Sequence, residues 1–235
     1  MFGREKIATL VAEFLGAGAL TLLVLTVQRS TIGVPFFVAA AAGLSIVLMT
    51  FVLVGASKAY FNPAITLGMW TARKIDTISA IMYIAVQLLG GWLAYYLYVY
   101  FTGGNSLQPI GGDFKGTILA AEAVGAGVFA FGLAAAIYQG ATRAATAAFV
   151  GLSLMLGILI ASSASIGLLN PAVALGVRAW EWGTYVAGPV LGAVIGINLY
   201  YYLFAPSEVG FARAAVSRPA STKKTTAKKK TRAKK

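Results

Sequence analysis

A nine-residue stretch that occurs twice constrains this chain more than any other feature. It runs from Tyr60 to Gly68 and returns from Leu168 to Gly176. Asn caps the first free amides of a helix, and Pro suits the first helical position because its missing N–H is not needed there. One such triplet predicts only an ordinary helix N-terminus, whereas two copies in matching surroundings predict a shared role. The triplets are Asn62-Pro63-Ala64 and Asn170-Pro171-Ala172.

The match between the two copies extends well upstream of the triplets. Residues 12–18 (AEFLGAG) are echoed by residues 121–127 (AEAVGAG). Glu13 and Glu122 lie 49 and 48 positions before the Asn of their own copies. The chain is therefore predicted to consist of two repeats of the same structural unit.

The composition excludes a soluble globular protein. The 235 residues are 59% hydrophobic and 11% charged, with a mean hydropathy of +0.80, whereas a soluble domain carries about 25% charged residues. The net charge of +12 does not contradict this, because 10 of the 19 Lys and Arg lie between Arg213 and Lys235. The composition predicts an integral membrane protein.

Six apolar runs are long enough to cross a bilayer as helices, which takes about 20 residues each. The first run contains Glu13 and has no small-x-small cleavage site, so it is interpreted as a retained span and not as a signal peptide. The first three runs belong to a repeat from about residue 5 to 101, and the last three to a repeat from about 115 to 204. The runs are residues 7–27, 34–54, 78–101, 118–138, 144–169 and 185–204.

Each Asn-Pro-Ala triplet begins a helix of only about ten residues, which is too short to span. Non-helical backbone at membrane depth survives only where protein or a wet cavity surrounds it. Because each half holds three spans, the second half is inserted upside down relative to the first. The predicted fold class is an all-α integral membrane protein with six transmembrane helices and two re-entrant half-helices in an inverted repeat.

The basic residues predict the orientation. One side of the membrane receives Arg29, Lys115 and Arg178. The other side receives more basic residues and is therefore expected to be cytoplasmic, with both termini on it. Those residues are Arg4, Lys6, Lys58, Arg73, Lys74, Arg143 and the C-terminal tail.

Residues 206–235 form a low-complexity, Lys-rich segment that is predicted to be a disordered cytoplasmic tail. The expected role is membrane retention together with contact to anionic lipid headgroups. Nucleic acid is not an expected partner, because the run 221–235 holds no aromatic side chain on which a base could stack. A chain that serves only as an anchor for this tail would leave the pore motifs unexplained.

The sequence contains no Cys and no His. Thiolate or imidazole chemistry is thereby excluded for metal binding and for catalysis. No nucleophile–base pair and no phosphate-binding glycine loop is present, so the chain is predicted not to be an enzyme and to need no cofactor or metal.

Two half-helix N-termini that meet at the midplane bring two positive dipole ends together, beside the amides of Asn62 and Asn170. Such a centre repels cations and binds neutral molecules in a fixed orientation. It also interrupts a proton wire, because a water held by two donors cannot accept from a neighbouring water. The predicted solutes are water and small neutral molecules.

The paired triplets, the Ala-Glu-Phe opening, Glu122 and the six spans resemble the aquaporin family, the major intrinsic proteins, over about residues 5–204. The resemblance implies an hourglass fold with a pore in each protomer, a homotetramer in the lipid bilayer of the cell membrane, and passive conduction. It also implies that Glu13 and Glu122 support the re-entrant loops by accepting backbone amides.

The chain departs from the family at the selectivity filter. The family has Arg directly after the second triplet, where this chain has Val173, and often His where this chain has Ile158. The same spacing assigns the other filter positions to Ala42 and Gly167. The filter is then apolar, which predicts looser selectivity; the opposite possibility is a collar of Ile158 and Val173 that dewets and passes water poorly.

Other features favour different solutes and mechanisms. The short loop of residues 102–116, and the lack of the Asp that glycerol-conducting members carry after the second triplet, resemble water channels. Arg178 either folds back into the pore or lies at the outer surface, the second being favoured by helical spacing. Inverted repeats also build secondary transporters, and only Glu13 and Glu122 could serve a coupled carrier.

Overall fold

The computed structural model describes residues 3–30, 32–110 and 112–204, and in this part of the chain the regular structure is helical apart from one bridge between Ile110 and Ala179. The C-terminal unit, residues 206–235, lies outside the described residues, so the disordered tail stays a prediction. The helices are α1 Arg4–Gln28, α2 Pro35–Leu53, α3 Pro63–Thr71, α4 Thr77–Phe101, α5 Gly116–Tyr138, α6 Arg143–Ala161, α7 Pro171–Val177, α8 Trp182–Tyr185 and α9 Ala187–Leu203.

The predicted six spans are confirmed by six helical segments that are long and apolar enough to cross a membrane: α1, α2, α4, α5, α6, and α8 with α9. The fifth span is shorter than the apolar run suggested, because α6 ends at Ala161 and not at Leu169. Residues 162–165 form a turn, and residues 166–170 continue without helical bonds. The amides of Leu168 and Leu169 in this stretch donate to the buried Glu122 carboxylate, so they are unavailable to a helix.

Local sequence explains where the helices begin. The Asn62 side chain accepts from the amide of Ala64 at 2.8 Å at the start of α3, and Asn170 accepts from the amide of Ala172 at 2.9 Å at the start of α7. Asp76 caps α4 in the same way through the amide of Ser79. The predicted half-helices therefore exist, with nine residues in α3 and seven in α7.

The helices pack in two equivalent sets. The first span of each half packs on the third, α1 on α4 and α5 on α9, and α2 packs on α6 between the halves. Each half-helix packs on the third span of the other half, α3 on α9 and α7 on α4. The arrangement encloses α3 and α7 and joins the halves into one core.

Small residues make these contacts close. A side chain on Gly192 would meet the backbone of Ala123 and Gly127 in α5, and Gly196 likewise faces the carbonyl of Gly127. Gly188 belongs to the same row, as the four-residue spacing in α9 predicts. The outward surface instead carries large exposed apolar side chains such as Leu44 and Ile195, as a lipid-facing surface requires.

Candidate functional site: two re-entrant segments joined at their asparagines

Asn62 and Asn170 bind each other's segments at the centre of the fold. The Asn62 side-chain nitrogen donates to the carbonyl of Leu169 at 2.9 Å, and the Asn170 nitrogen donates to the carbonyl of Phe61 at 3.0 Å. Each side chain is 1% exposed. Since the Asn oxygens cap α3 and α7, these bonds hold the two half-helix N-termini face to face.

Glu13 holds the first re-entrant segment from α1. Its carboxylate accepts the amides of Tyr60 at 3.1 Å and Phe61 at 2.7 Å, together with the hydroxyl of Ser57. The Gln87 side-chain amide of α4 donates to it at 2.7 Å. The carboxylate therefore satisfies amides that have no helical partner, which is the condition for burying them.

Glu122 holds the second segment in the same geometry. Its carboxylate accepts the amides of Leu168 at 3.0 Å and Leu169 at 2.7 Å, and the hydroxyl of Ser165. Both glutamates are completely buried. Each lies in the first span of its half, so the first span fixes the backbone that leads to the half-helix.

The segments also share a strained backbone. Ala59 and Phe61 have φ of 56° and 49°, and Gly167 and Leu169, at the same distances before their Asn, have φ of 66° and 53°. Left-handed φ costs a residue with a side chain about 1 kcal/mol or more. Such strain persists only where surrounding contacts determine the backbone, and it concentrates at functional sites.

Known proteins resemble the chain over this whole region. A family model described as Major intrinsic protein matches residues 2–206. The chain belongs to the major intrinsic protein family. Aquaporin TIP1-1 of Zea mays is 30% identical over 218 residues, covering 85% of each chain. Aquaporin Z of Photorhabdus laumondii is 28% identical over 228 residues, covering 87% of this chain and 97% of the relative.

A solved structure has a similar fold. The X-ray structure of the aquaglyceroporin from Plasmodium falciparum superposes with a TM-score of 0.71 at 18% identity, covering 86% of this chain and 98% of that chain. Membership in the major intrinsic protein family makes the chain a membrane channel for water or small solutes, and not an enzyme.

The four residues predicted to form the filter are all buried. Ala42 is fully buried, Ile158 is 3% exposed and Val173 is 2% exposed. Gly167 lies against Ile158, because a Cβ built on Gly167 would be 3.0 Å from the Ile158 side chain. None of these four side chains carries a polar atom, so the predicted filter would offer no charge and no hydrogen-bonding side chain.

Arg178 is bound to a loop. It ends α7 in the left-handed conformation, with φ of 63°. Its guanidinium donates to the carbonyl of Leu107 and to the hydroxyl of Tyr95, and lies 4.5 Å from the Trp180 ring centroid. These contacts hold the Arg178 side chain in a half-buried position between α7 and the α4–α5 loop.

Sequence reasoning missed Ser57, Ser165, Gln87 and Thr66. The two serines could have been found, since each lies five residues before the Asn of its copy. Gln87 bonds both Glu13 and the Thr66 hydroxyl of α3. No repeated pattern marks Gln87 or Thr66, and only the packing of α4 against α1 and α3 brings them to the site.

Proposed function

We propose that water and small uncharged solutes cross the membrane through a pore that passes between Asn62 and Asn170. The observation that carries this proposal is the reciprocal bond of each Asn amide to the carbonyl before the other Asn. An Asn side-chain nitrogen has two hydrogens. One is used in this bond, which leaves the second for a passing solute.

The electrostatics of this centre exclude cations. The N-termini of α3 and α7 each bring a partial positive charge of about half an elementary charge, and both lie in a buried core. Water that accepts hydrogen bonds from both Asn amides cannot also accept from the next water, so protons do not hop along the file.

The arginine-free filter sets the solute range. With Val173 in place of a guanidinium, the outer constriction loses a positive charge and five donors. Ala42, which has only a methyl side chain, fills less of the constriction than a larger residue would. We expect this filter to admit glycerol beside water; the neighbouring solved structure is named as an aquaglyceroporin.

The proposed channel is passive. A coupled carrier needs an ionisable group that changes partner during its cycle. The two carboxylates inside the spans, Glu13 and Glu122, are occupied by the amides of the re-entrant segments. Their proposed role is support of those segments.

The proposed assembly is a homotetramer in the cell membrane with both termini cytoplasmic. Exposed apolar side chains on the outer faces of the spans suit contact with lipid or with a second copy. The larger number of basic residues on the side of Lys58 and Lys74 favours a cytoplasmic position for that side.

Stopped-flow light scattering on proteoliposomes tests the channel. Shrinkage under an impermeant osmolyte measures water flow, and re-swelling in glycerol measures glycerol flow. We expect both flows to be faster than in empty liposomes. Val173→Arg should reduce glycerol flow more than water flow. Leu44→Ile in α2, at an exposed apolar side chain on the outward surface, is the control. Wild-type rates equal to empty liposomes would refute the proposal, and fast shrinkage without glycerol entry would restrict it to water.

A further inference from the structure

We propose a second selectivity station on the opposite side of the Asn pair from the filter, in which the Thr50 hydroxyl is the group that a solute hydrogen-bonds. The station is formed by Thr50, Ala59, Ile65 and Val150. The proposal rests on the channel function proposed above. The Thr50 hydroxyl would give the solute the polar contact that the apolar filter lacks.

The repeat locates the station. The two Asn residues are 108 positions apart, as are Ser57 and Ser165, which perform the same task in each half. Gly43 and Gly151, again 108 apart, contact each other, with a Cβ built on Gly43 lying 2.9 Å from the carbonyl oxygen of Gly151. The spacing of 108 is therefore valid for the α2–α6 contact and for the re-entrant segments.

Applied to the filter, this spacing gives one counterpart for each position. The counterparts of Ala42, Ile158, Gly167 and Val173 are Val150, Thr50, Ala59 and Ile65, respectively. Ala59 shares the positive φ of Gly167, at 56° against 66°, which supports the equivalence. The four counterparts are no more than 3% exposed, so they are as deeply buried as the filter positions.

Thr50 is the only member of either set whose side chain carries a polar atom. A buried Thr in a helix normally donates its hydroxyl to the carbonyl four residues earlier. Thr21 does so to Ala17 at 2.8 Å, and Thr66 to Asn62 at 3.0 Å. The Thr50 hydroxyl, in a side chain that is 1% exposed, has no partner among the described residues. A buried hydroxyl without a partner is destabilising, and a passing solute would satisfy it.

A cavity lies one helical turn from Thr50. It has a volume of about 330 Å³, and its lining includes Val54, Tyr60, Lys74 and Tyr138. Val54 directly follows α2 and donates its amide to the carbonyl of Thr50 at 3.0 Å, so Thr50 lies one turn before the cavity wall on the same helix face. Tyr60 lies two residues before Asn62. The cavity thus extends from the surface at Lys74 to the segment that carries the Asn pair.

The lining selects the class of solute. The Tyr138 hydroxyl oxygen is also buried and has no partner within the described part of the chain. Lys58 and Lys74 line the cavity without any Asp or Glu, so the approach disfavours cations. The chemistry fits water and small uncharged molecules that carry hydroxyl groups.

Thr50→Val tests the station because it removes the hydroxyl and keeps the shape. We expect osmotic water permeability in proteoliposomes to fall about fivefold, since one hydrogen bond to the solute is lost and the constriction becomes wholly apolar. Thr50→Ser should restore permeability to within a factor of two. Thr21→Val, which removes a buried hydroxyl that already has a partner, is the matched control and should conduct like the wild type.

Thermal stability in detergent separates this role from a structural one. Thr50→Val should unfold at the wild-type temperature or above it, because no protein bond is lost. Wild-type permeability in Thr50→Val would overturn the station and leave the channel intact. A lower unfolding temperature with unchanged permeability would assign the hydroxyl to folding and also overturn it. Wild-type protein that conducts no better than empty liposomes would overturn the channel proposal and the station together.

Discussion

The two re-entrant segments, residues 57–71 and 165–177, share one plan and differ in how firmly they are held. In both, a Ser hydroxyl and two backbone amides bond a buried Glu. The first segment has a further link, because Gln87 donates to Glu13 and also bonds Thr66 of α3. Within the described residues, no such side chain reaches Glu122.

This difference separates what the repeat provides from what each half adds. The bonds that recur come from residues at matching positions in both halves. The extra bond comes from α4, the third span of the first half, at a position that the repeat does not duplicate. The second segment, which carries the proposed filter positions Gly167 and Val173, has one side-chain bond fewer to its Glu.

The largest expected effect comes from removing the glutamates. Glu13→Ala leaves four donors without an acceptor, and Glu122→Ala leaves three. Because each buried unsatisfied donor costs about 1–3 kcal/mol, we expect Glu13→Ala to lower the unfolding temperature in detergent further than Glu122→Ala. Tryptophan fluorescence during heating measures both.

Two further variants sharpen this comparison. Glu13→Gln keeps an acceptor oxygen and the side-chain volume, so it should lower the unfolding temperature less than Glu13→Ala does. Gln87→Leu should remove the extra bond to Glu13, so that each Glu then holds its segment by three bonds. In that background, Glu13→Ala and Glu122→Ala should lower the unfolding temperature by nearly the same amount. Equal losses from Glu13→Ala and Glu122→Ala in the presence of Gln87 would contradict the unequal support.

A smaller effect is expected where the half-helices pack on the spans. A Cβ on Gly91 would overlap the carbonyl of Ala172 in α7, whereas a Cβ on Gly68 of α3 would meet the end of the Ile197 side chain at 2.7 Å and the Ala193 carbonyl at 2.9 Å. Overpacking costs about 1–3 kcal/mol, and the Ile197 side chain can move. Gly91→Ala should therefore reduce stability and water permeability more than Gly68→Ala.

The control for this pair is Gly116→Ala, since nothing lies within 4 Å of a Cβ built there. It should match the wild type in both measurements. A Gly68→Ala variant that is more impaired than Gly91→Ala would show that α3, and not α7, is the more closely packed half-helix.

The smallest expected effect is that of mercurial reagents on the natural chain, because it has no Cys. Water permeability should be unchanged by mercuric chloride. Val173→Cys in the proposed filter and Ile65→Cys in the proposed station introduce a thiol at positions that the repeat makes equivalent. Both should become blocked by mercury and recover with a thiol reductant. Inhibition of the natural chain that a reductant reverses would contradict the prediction, and block of the Val173→Cys variant alone would make the two sides unequal.

Much of the fold could be predicted because its determinants are local or repeated. Apolar runs of the right length predicted six spans, and Asn-Pro pairs predicted the starts of α3 and α7. The end of α6 was predicted wrongly, since residues 162–169 are apolar enough to continue a helix. Their amides bond Glu122 instead, and that bond depends on a residue far away in the sequence.

The sequence by itself determined that the chain enters a membrane, that it consists of two matching halves, and that a capped half-helix begins in each. Hydrophobicity, length and capping act over a few residues and can be recognised without a fold. Only the tertiary structure decided that each Asn bonds the other segment, that Gln87 joins Glu13, and that the Thr50 hydroxyl has no partner among the described residues. Those bonds join residues 74 to 109 positions apart, and the free Thr50 hydroxyl depends on which groups the surrounding helices bring near it, so packing alone settles both.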